Sequence, residues 1–390
     1  MKISGTRAAR PWGTVFAALS VPFVSHAAGT IEIDETRWVS IGAGLRAGFV
    51  STEDAAPSGE DRSSTFNIQS VRLYVSGQAA EKVKFTFNTE CEGCVFGDDS
   101  PIGSGGNMDV LDAIAQFELS EQLNIWIGRM LTPADRIELN GPYYGLNWNQ
   151  YTVPLLPSDQ LGQAGLLGRD DGVTLWGSAG KFQYAFGLFD GVDGGPNVED
   201  NLLFATRLAY NFLEKEQNPG YYTSGTYFGT AGDIFTLALA FQSQSDAVGT
   251  AAAPDDFRAT IVDMLYENAF DNGAALTIDA EYKTFDADVS PLAAVDPSCL
   301  CYLFDGDAYY ATFAYLLPGG GKLRWQPYVR YTSNEPDSGL DSDLTEVGLN
   351  IVIRGHDARL NVSFLSGDAN LTGLPGPDVD TIQFGVQVQI

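Results

Sequence analysis

The chain has 390 residues, with 22 lysines and arginines against 50 aspartates and glutamates, a formal net charge of -28 and 44% hydrophobic residues. Outside the extreme N-terminus no apolar run reaches the roughly 18 residues that a membrane-crossing helix needs, so a helical membrane protein is excluded. So acidic a chain also lacks the basic surface that nucleic acid requires.

The first element in chain order is a secretory signal over residues 1–27. Lys2, Arg7 and Arg10 supply a positive start, Trp12 to Val24 an apolar stretch, and Ser25-His26-Ala27 a small-x-small cleavage site. Cleavage there exports the chain to a bacterial envelope and leaves 19 bases against 50 acids, a net charge of -31. Residues 28–390 then read as one domain.

That domain alternates. From Arg37 onward, Val39, Ile41, Ala43, Leu45, Ala47 and Phe49 fall on one face and Ser40, Gly42, Gly44 and Arg46 on the other, the period of a β-strand between unlike surroundings. Segments 83–90, 123–128, 181–189, 204–212, 235–242, 275–283, 309–316, 323–332, 347–353 and 359–364 repeat the pattern. Weaker ones near 66–77, 110–119, 172–178 and 257–266, with the terminal TIQFGVQVQI, bring the total to about sixteen, even as bacterial barrels require. Aromatics such as Phe49, Phe212, Phe241, Trp325 and Tyr331 sit near the ends of the apolar faces, as interfacial girdles would. Pro327 cannot donate to a ladder and predicts a bulge or irregularity.

The connections sort by length. QAAEK, SEQ, SAGK, PGGG and GHD are short, whereas 50–64, 91–107, 190–201, 286–306 and 366–378 are long, polar and acidic. That asymmetry separates a membrane barrel, with its short periplasmic turns and long outer loops, from a soluble sandwich. The expected fold is therefore all-β, a transmembrane antiparallel β-barrel of about sixteen strands. Lipid should lie beside Val386 and Val388 and water beside Gln387 and Gln389. Two stretches depart from the scheme. Segment 131–168 is long and does not alternate; it is read as a constriction loop folding into the lumen, with Arg136, Glu138, Tyr143 and Tyr144 as its candidate functional residues, or else as an external lid. Segment 213–233 is long on the side where turns should be short, and the pattern offers no reason for it.

Several of these residues resemble the phosphate-selective porin O and P family. IQSVRLYVSG (68–77) is similar to an early strand of that family, LDAIAQFEL (111–119) to the next, and IGRMLTP (127–133) to its turn into the constriction loop; GLFDG (187–191) and ATRLAYNF (205–212) complete the set. The resemblance spans most of the mature chain and implies a trimeric outer-membrane porin for small solutes or anions, surrounded by lipid and lipopolysaccharide. Two departures stand out: Leu131 occupies a position where that family often has lysine, and the chain ends in Ile390 rather than an aromatic.

Projected onto the strand faces, Arg46, Arg72, Lys84, Arg207, Lys283, Arg324, Arg330 and Arg359 fall on the lumenal side, with Glu90, Asp112, Glu118, Asp279, Glu281 and Glu346. Arginines along a pore would attract anions; the other reading is that they pair with the lumenal carboxylates and hold the wall together. Cys91, Cys94, Cys299 and Cys301 fall in predicted outer loops, where an exported chain forms disulfides, with connectivity open between one loop and two. No metal or other cofactor is expected, and His356, alone after the signal, gives no catalytic pair, so the reading is of a non-enzyme. A passive porin is the expected function, with a non-conducting structural or binding barrel as the competing class.

Overall fold

The computed structural model describes residues 29–92, 107–149, 153, 168–192, 195–287, 305–337, 340–369 and 375–390. The signal segment 1–27, most of 150–167, and Cys94, Cys299 and Cys301 lie outside them. A short β1 (Gly29–Glu32) pairs with the start of β2 (Trp38–Thr52). The wall continues through β3 (Ser63–Ala80), β4 (Val83–Glu92), β5 (Asn107–Glu118), β6 (Asn124–Leu131), β7 (Arg169–Ala179), β8 (Phe182–Phe189) and β9 (Leu203–Asn211). Then come β10 (Ile234–Thr250), β11 (Ala253–Ala269), β12 (Ala275–Asp286), β13 (Gly306–Leu316), β14 (Arg324–Pro336), β15 (Ser342–Arg354), β16 (Ala358–Ala369) and β17 (Pro375–Gln389). Each strand pairs antiparallel with the next, and β17 returns to β2 with Val388 opposite Leu45, so β2–β17 form a closed barrel of sixteen strands. Closure leaves the wall no free edge.

The two faces follow the alternation. Leu237, Leu239, Val262, Phe313, Val329, Val347, Val386 and Val388 point outward and are exposed. A closed barrel with an apolar outside is the form in which a sheet satisfies all its backbone groups in lipid. Aromatics ring the short-turn end of β8–β11: Tyr210 and Phe212 have centroids 4.9 Å apart, as do Phe212 and Phe235, and Tyr266 follows at 6.2 Å.

Three expectations change. β10 and β11 run on to a tight turn at 250–253, beyond the predicted limits, because a bulge between Gln244 and Val248, with Asp246 at φ 56°, interrupts the alternation without ending the pairing. Pro327 makes no bulge: the pairing of β14 with β13 ends at Tyr328, and its register with β15 runs through Pro327 opposite Leu349 unshifted. Gln387 does not face water. It is 1% exposed and donates to the carbonyls of Tyr143 (2.9 Å) and His356 (2.6 Å), because the segment after β6 occupies that side of the wall.

Candidate functional site

That segment enters the lumen at once. Asp135 caps α1 (Arg136–Tyr144) by accepting from the Glu138 amide at 2.9 Å, an Asp-x-x-Glu start of the kind that begins helices. Gly141 (φ 57°) breaks α1 into two short pieces, a backbone turn that a side chain would strain, and Pro142 starts the second. Residues 132–149 are almost wholly buried inside the barrel.

β2 and β14–β16 grip the loop mainly by its carbonyl oxygens. The Arg46 guanidinium donates to Trp148 O (2.8 Å), Arg359 to Gly145 O (2.7 Å), Arg330 to Asn149 O (2.9 Å) and Asn350 to Leu146 O (2.9 Å). Arg46 and Arg359 also flank one indole, 4.1 and 5.9 Å from the Trp148 ring centre. The lumenal face is hollowed to receive these rings. A Cβ on Gly385 would lie 2.2 Å from the Trp148 ring, and one on Gly44 would lie 2.9 Å from the Tyr143 ring. On the adjoining β3 Tyr143 donates to Ser70 (3.1 Å), under the Arg72–Glu90 pair.

A chain of alternating charge anchors the start of the loop. Arg207 donates to both oxygens of Asp263, and Arg136 reaches Asp263 at 3.2 Å. Arg136 also makes a two-point contact with Glu216, at 2.7 and 2.9 Å, and donates to Ser224 O at 2.9 Å. Lys283 holds Asp135 at 2.6 Å and Glu281 at 3.3 Å. Buried ions are tolerable only when paired in this way.

Glu216 belongs to segment 213–233, and the structure gives that segment a role: it is a strap across the short-turn end of the lumen. Glu216 accepts from Arg136 and Tyr227 (2.7 Å). Burial pushes its carboxyl up, but the Arg136 guanidinium overrides this and holds it below its ordinary value of 4.5. Tyr221 donates to Leu131 O, and its ring and that of Tyr222 pack 5.5 and 5.6 Å from Trp126. Glu267 gathers the middle of the strap, accepting from Thr226 Oγ1 (2.8 Å), Tyr227 N (3.0 Å) and Gly229 N (2.7 Å). At the far side His356 donates from Nε2 to Thr226 O (2.8 Å) between the Phe228 and Tyr144 rings. The strap also joins the inserted loop directly, Gly225 N donating to Tyr144 O at 2.9 Å and Thr223 Oγ1 to Arg136 O at 3.0 Å. Between strap and wall a cavity of about 50 Å³ remains beside Trp176 and Arg207, room enough for water.

The predicted lumenal residues therefore divide. Arg46, Arg72, Arg207, Lys283, Arg330 and Arg359 are buried against loop carbonyls, carboxylates or aromatic rings. Arg324 sits apart at the short-turn rim, donating to Gly273 O. Lys84 remains half open, paired with Glu118 and flanked by Ser76, Gln78, Thr86 and Asn88, which are also partly exposed. Arg136, Glu138, Tyr143 and Tyr144 lie in the inserted loop. Cys91 is disulfide-bonded. The sequence reading missed Asp263, Glu267, Trp148 and the whole strap; a Tyr221-Tyr222 and Tyr227-Phe228 pair in a supposed turn was the available signal.

No family's sequence profile matches the chain, and no curated protein does. Solved structures do. The chain is similar to an anion-selective porin from Comamonas acidovorans (16% identity, 91% of this chain and all of that one, TM-score 0.58). It is also similar to OmpT, an outer-membrane protein of Vibrio cholerae described in a trimer form (14%, 91% and 100%, TM-score 0.55), and to Salmonella typhi OmpF in complex with daunomycin (12%, 93% and 100%, TM-score 0.54). At these identities the likeness establishes the fold, that of outer-membrane porin barrels.

Proposed function

We propose that residues 28–390 form an outer-membrane channel through which small hydrophilic solutes diffuse passively, with 131–168 as its constriction loop. One observation carries this reading: a closed barrel, apolar outside, has a chain segment folded into its lumen at mid-wall and held there by arginines of the wall. A preference for anions is supported by Arg46 and Arg359 converging on one ring inside the lumen. The resemblance to phosphate-selective porins suggests phosphate as one such anion, although Leu131 replaces a frequent lysine of that family. A homotrimer set in lipid and lipopolysaccharide completes the proposal.

Purified, heat-modifiable protein in a planar bilayer should give discrete conductance steps, and a salt gradient should give a reversal potential of anion-selective sign. Cation-selective potentials would remove the anion preference and leave the channel. A second reading, a non-conducting structural barrel, is favoured by the burial of the lumenal face from β9 to β14. A correctly folded barrel that stays silent would decide for it.

A further inference from the structure

The strap is not needed to connect β9 to β10. Phe212 N already donates to Phe235 O at 2.7 Å and Glu214 N to Asp233 O at 2.9 Å, so a hairpin is zipped up to the point where the strap leaves it. A turn of a few residues, like those joining the other strands at this end, would close it. The additional residues instead cross the mouth to His356 on the opposite side. Ordering such a length of chain is costly in entropy, and compact proteins keep loops of this size where they serve a function.

What the strap covers is unequal around the mouth. At the short-turn end of β9–β14, the inward Asn211, Thr236, Glu267, Thr277 and Gln326 are all buried. On β3–β5 at the same height, Ser76, Gln78, Lys84, Thr86 and Glu118 keep part of their surface. The inserted loop lies directly behind the strap and is bound to it through Arg136, so the two form one diaphragm, anchored on the β9–β14 side by Asp263, Glu267 and Lys283 and held at its far end by Ser70, Arg46 and Arg359.

We propose that segment 213–233 is a second constriction element, which narrows the periplasmic mouth and confines passing solutes to the wall formed by β3–β5. The inference rests on the channel reading and adds to it a selectivity-determining segment outside the constriction loop. The solutes it admits are small and polar, because Ser76, Gln78, Thr86 and Asn88 offer hydroxyls and amides and the Lys84–Glu118 pair offers both signs.

The test compares single-channel conductance of the full barrel with that of a variant in which 217–231 are replaced by an Asn-Gly turn, each checked for heat-dependent gel mobility. A rise of roughly twofold or more on removing the strap is expected, since the narrowest section sets the resistance. Equal conductance in both overturns the strap's role and leaves the channel standing. Silence in both overturns the channel itself. Silence only in the full barrel, with steps after removal, makes the strap a complete plug and overturns passage along β3–β5 together with the open-channel reading of the intact barrel.

If the shortened chain fails to fold, labelling of the full-length barrel gives the same decision. Thr86→Cys on the open wall should react with a charged methanethiosulfonate and lower the conductance, while Thr277→Cys under the strap should resist it. Equal reactivity at both positions would overturn the proposal.

Discussion

The short-turn halves of two stretches of wall, β9–β14 and β3–β5, carry similar residues in similar alternation yet meet different surroundings. Thr236, Thr277 and Gln326 on one side are buried under a strap, while Thr86, Ser76 and Gln78 on the other keep part of their surface. Parity along a strand therefore says which face a residue occupies but not what fills the space in front of it. The charged groups make the same point. Arg207, Lys283 and Lys84 all point inward, but the first two are bound to buried carboxylates and only Lys84 retains contact with water.

The largest effect should come from removing the link that makes one wall different from the other. Arg136→Ala strips Glu216 of its two-point partner and Asp263 of one of its two cations, which should cost the docked arrangement about 3–5 kcal/mol. Loop and strap should loosen together, read as accelerated hydrogen exchange at both 136–149 and 213–233; exchange confined to one of them would break the idea of a single diaphragm.

Next comes Gly385→Leu, which drives a side chain into the space of Trp148. Overpacking of this kind costs roughly 1–3 kcal/mol, and protease cleavage within the inserted loop should increase while the barrel keeps its heat-modifiable mobility. Acid supplies a third perturbation. Since Arg136 holds Glu216 below 4.5 in the folded protein, the stabilisation from their pairing is complete above that value and is lost as pH falls through the lowered one. Strap protection should thus persist at about pH 5 and disappear only in stronger acid; a loss near neutrality would point to another group.

Two smaller changes sharpen the contrast from each side. Tyr221→Phe removes the hydrogen bond to Leu131 O and should weaken the strap by about 1 kcal/mol, seen as a modest rise in exchange at Tyr222 and Thr223. Lys84→Gln on the open wall should change stability by only about 0–1 kcal/mol, because its pair with Glu118 is partly solvated. It should nonetheless move the reversal potential toward cations. No movement would mean that solutes pass elsewhere.

Much of the barrel was legible in the sequence because lipid and lumen impose opposite demands on neighbouring residues. β2 and β17 show this cleanly, with Leu45 and Val388 paired outside and Arg46 and Gln387 paired inside. β11 does not: Phe257, Ile261 and Leu265 point inward while Val262, Met264 and Tyr266 point outward, so neither parity is polar and Asp263 and Glu267 could not be assigned to the lumen. The inserted loop was visible only as a gap in the alternation. The strap was harder still, since Glu216, Asn218, Pro219 and Gly220 read as a polar turn, and the partners that bury it lie on strands far away in sequence.

The seam where β17 meets β2 has a consequence in time. Gln387 donates to Tyr143 O across 244 residues of chain, Arg359 to Gly145 O across 214, and Gly385 leaves the hollow that Trp148 fills. The strand that completes the cylinder, β17, follows all the other wall strands in chain order, and it carries part of the receptacle for a loop that lies far earlier in the chain. Contacts of such separation form late, since the entropy of closing the intervening chain must be overcome first. The loop should therefore be inside, or entering, as the final seam zips, so that assembly of the wall and setting of the bore are one event rather than two.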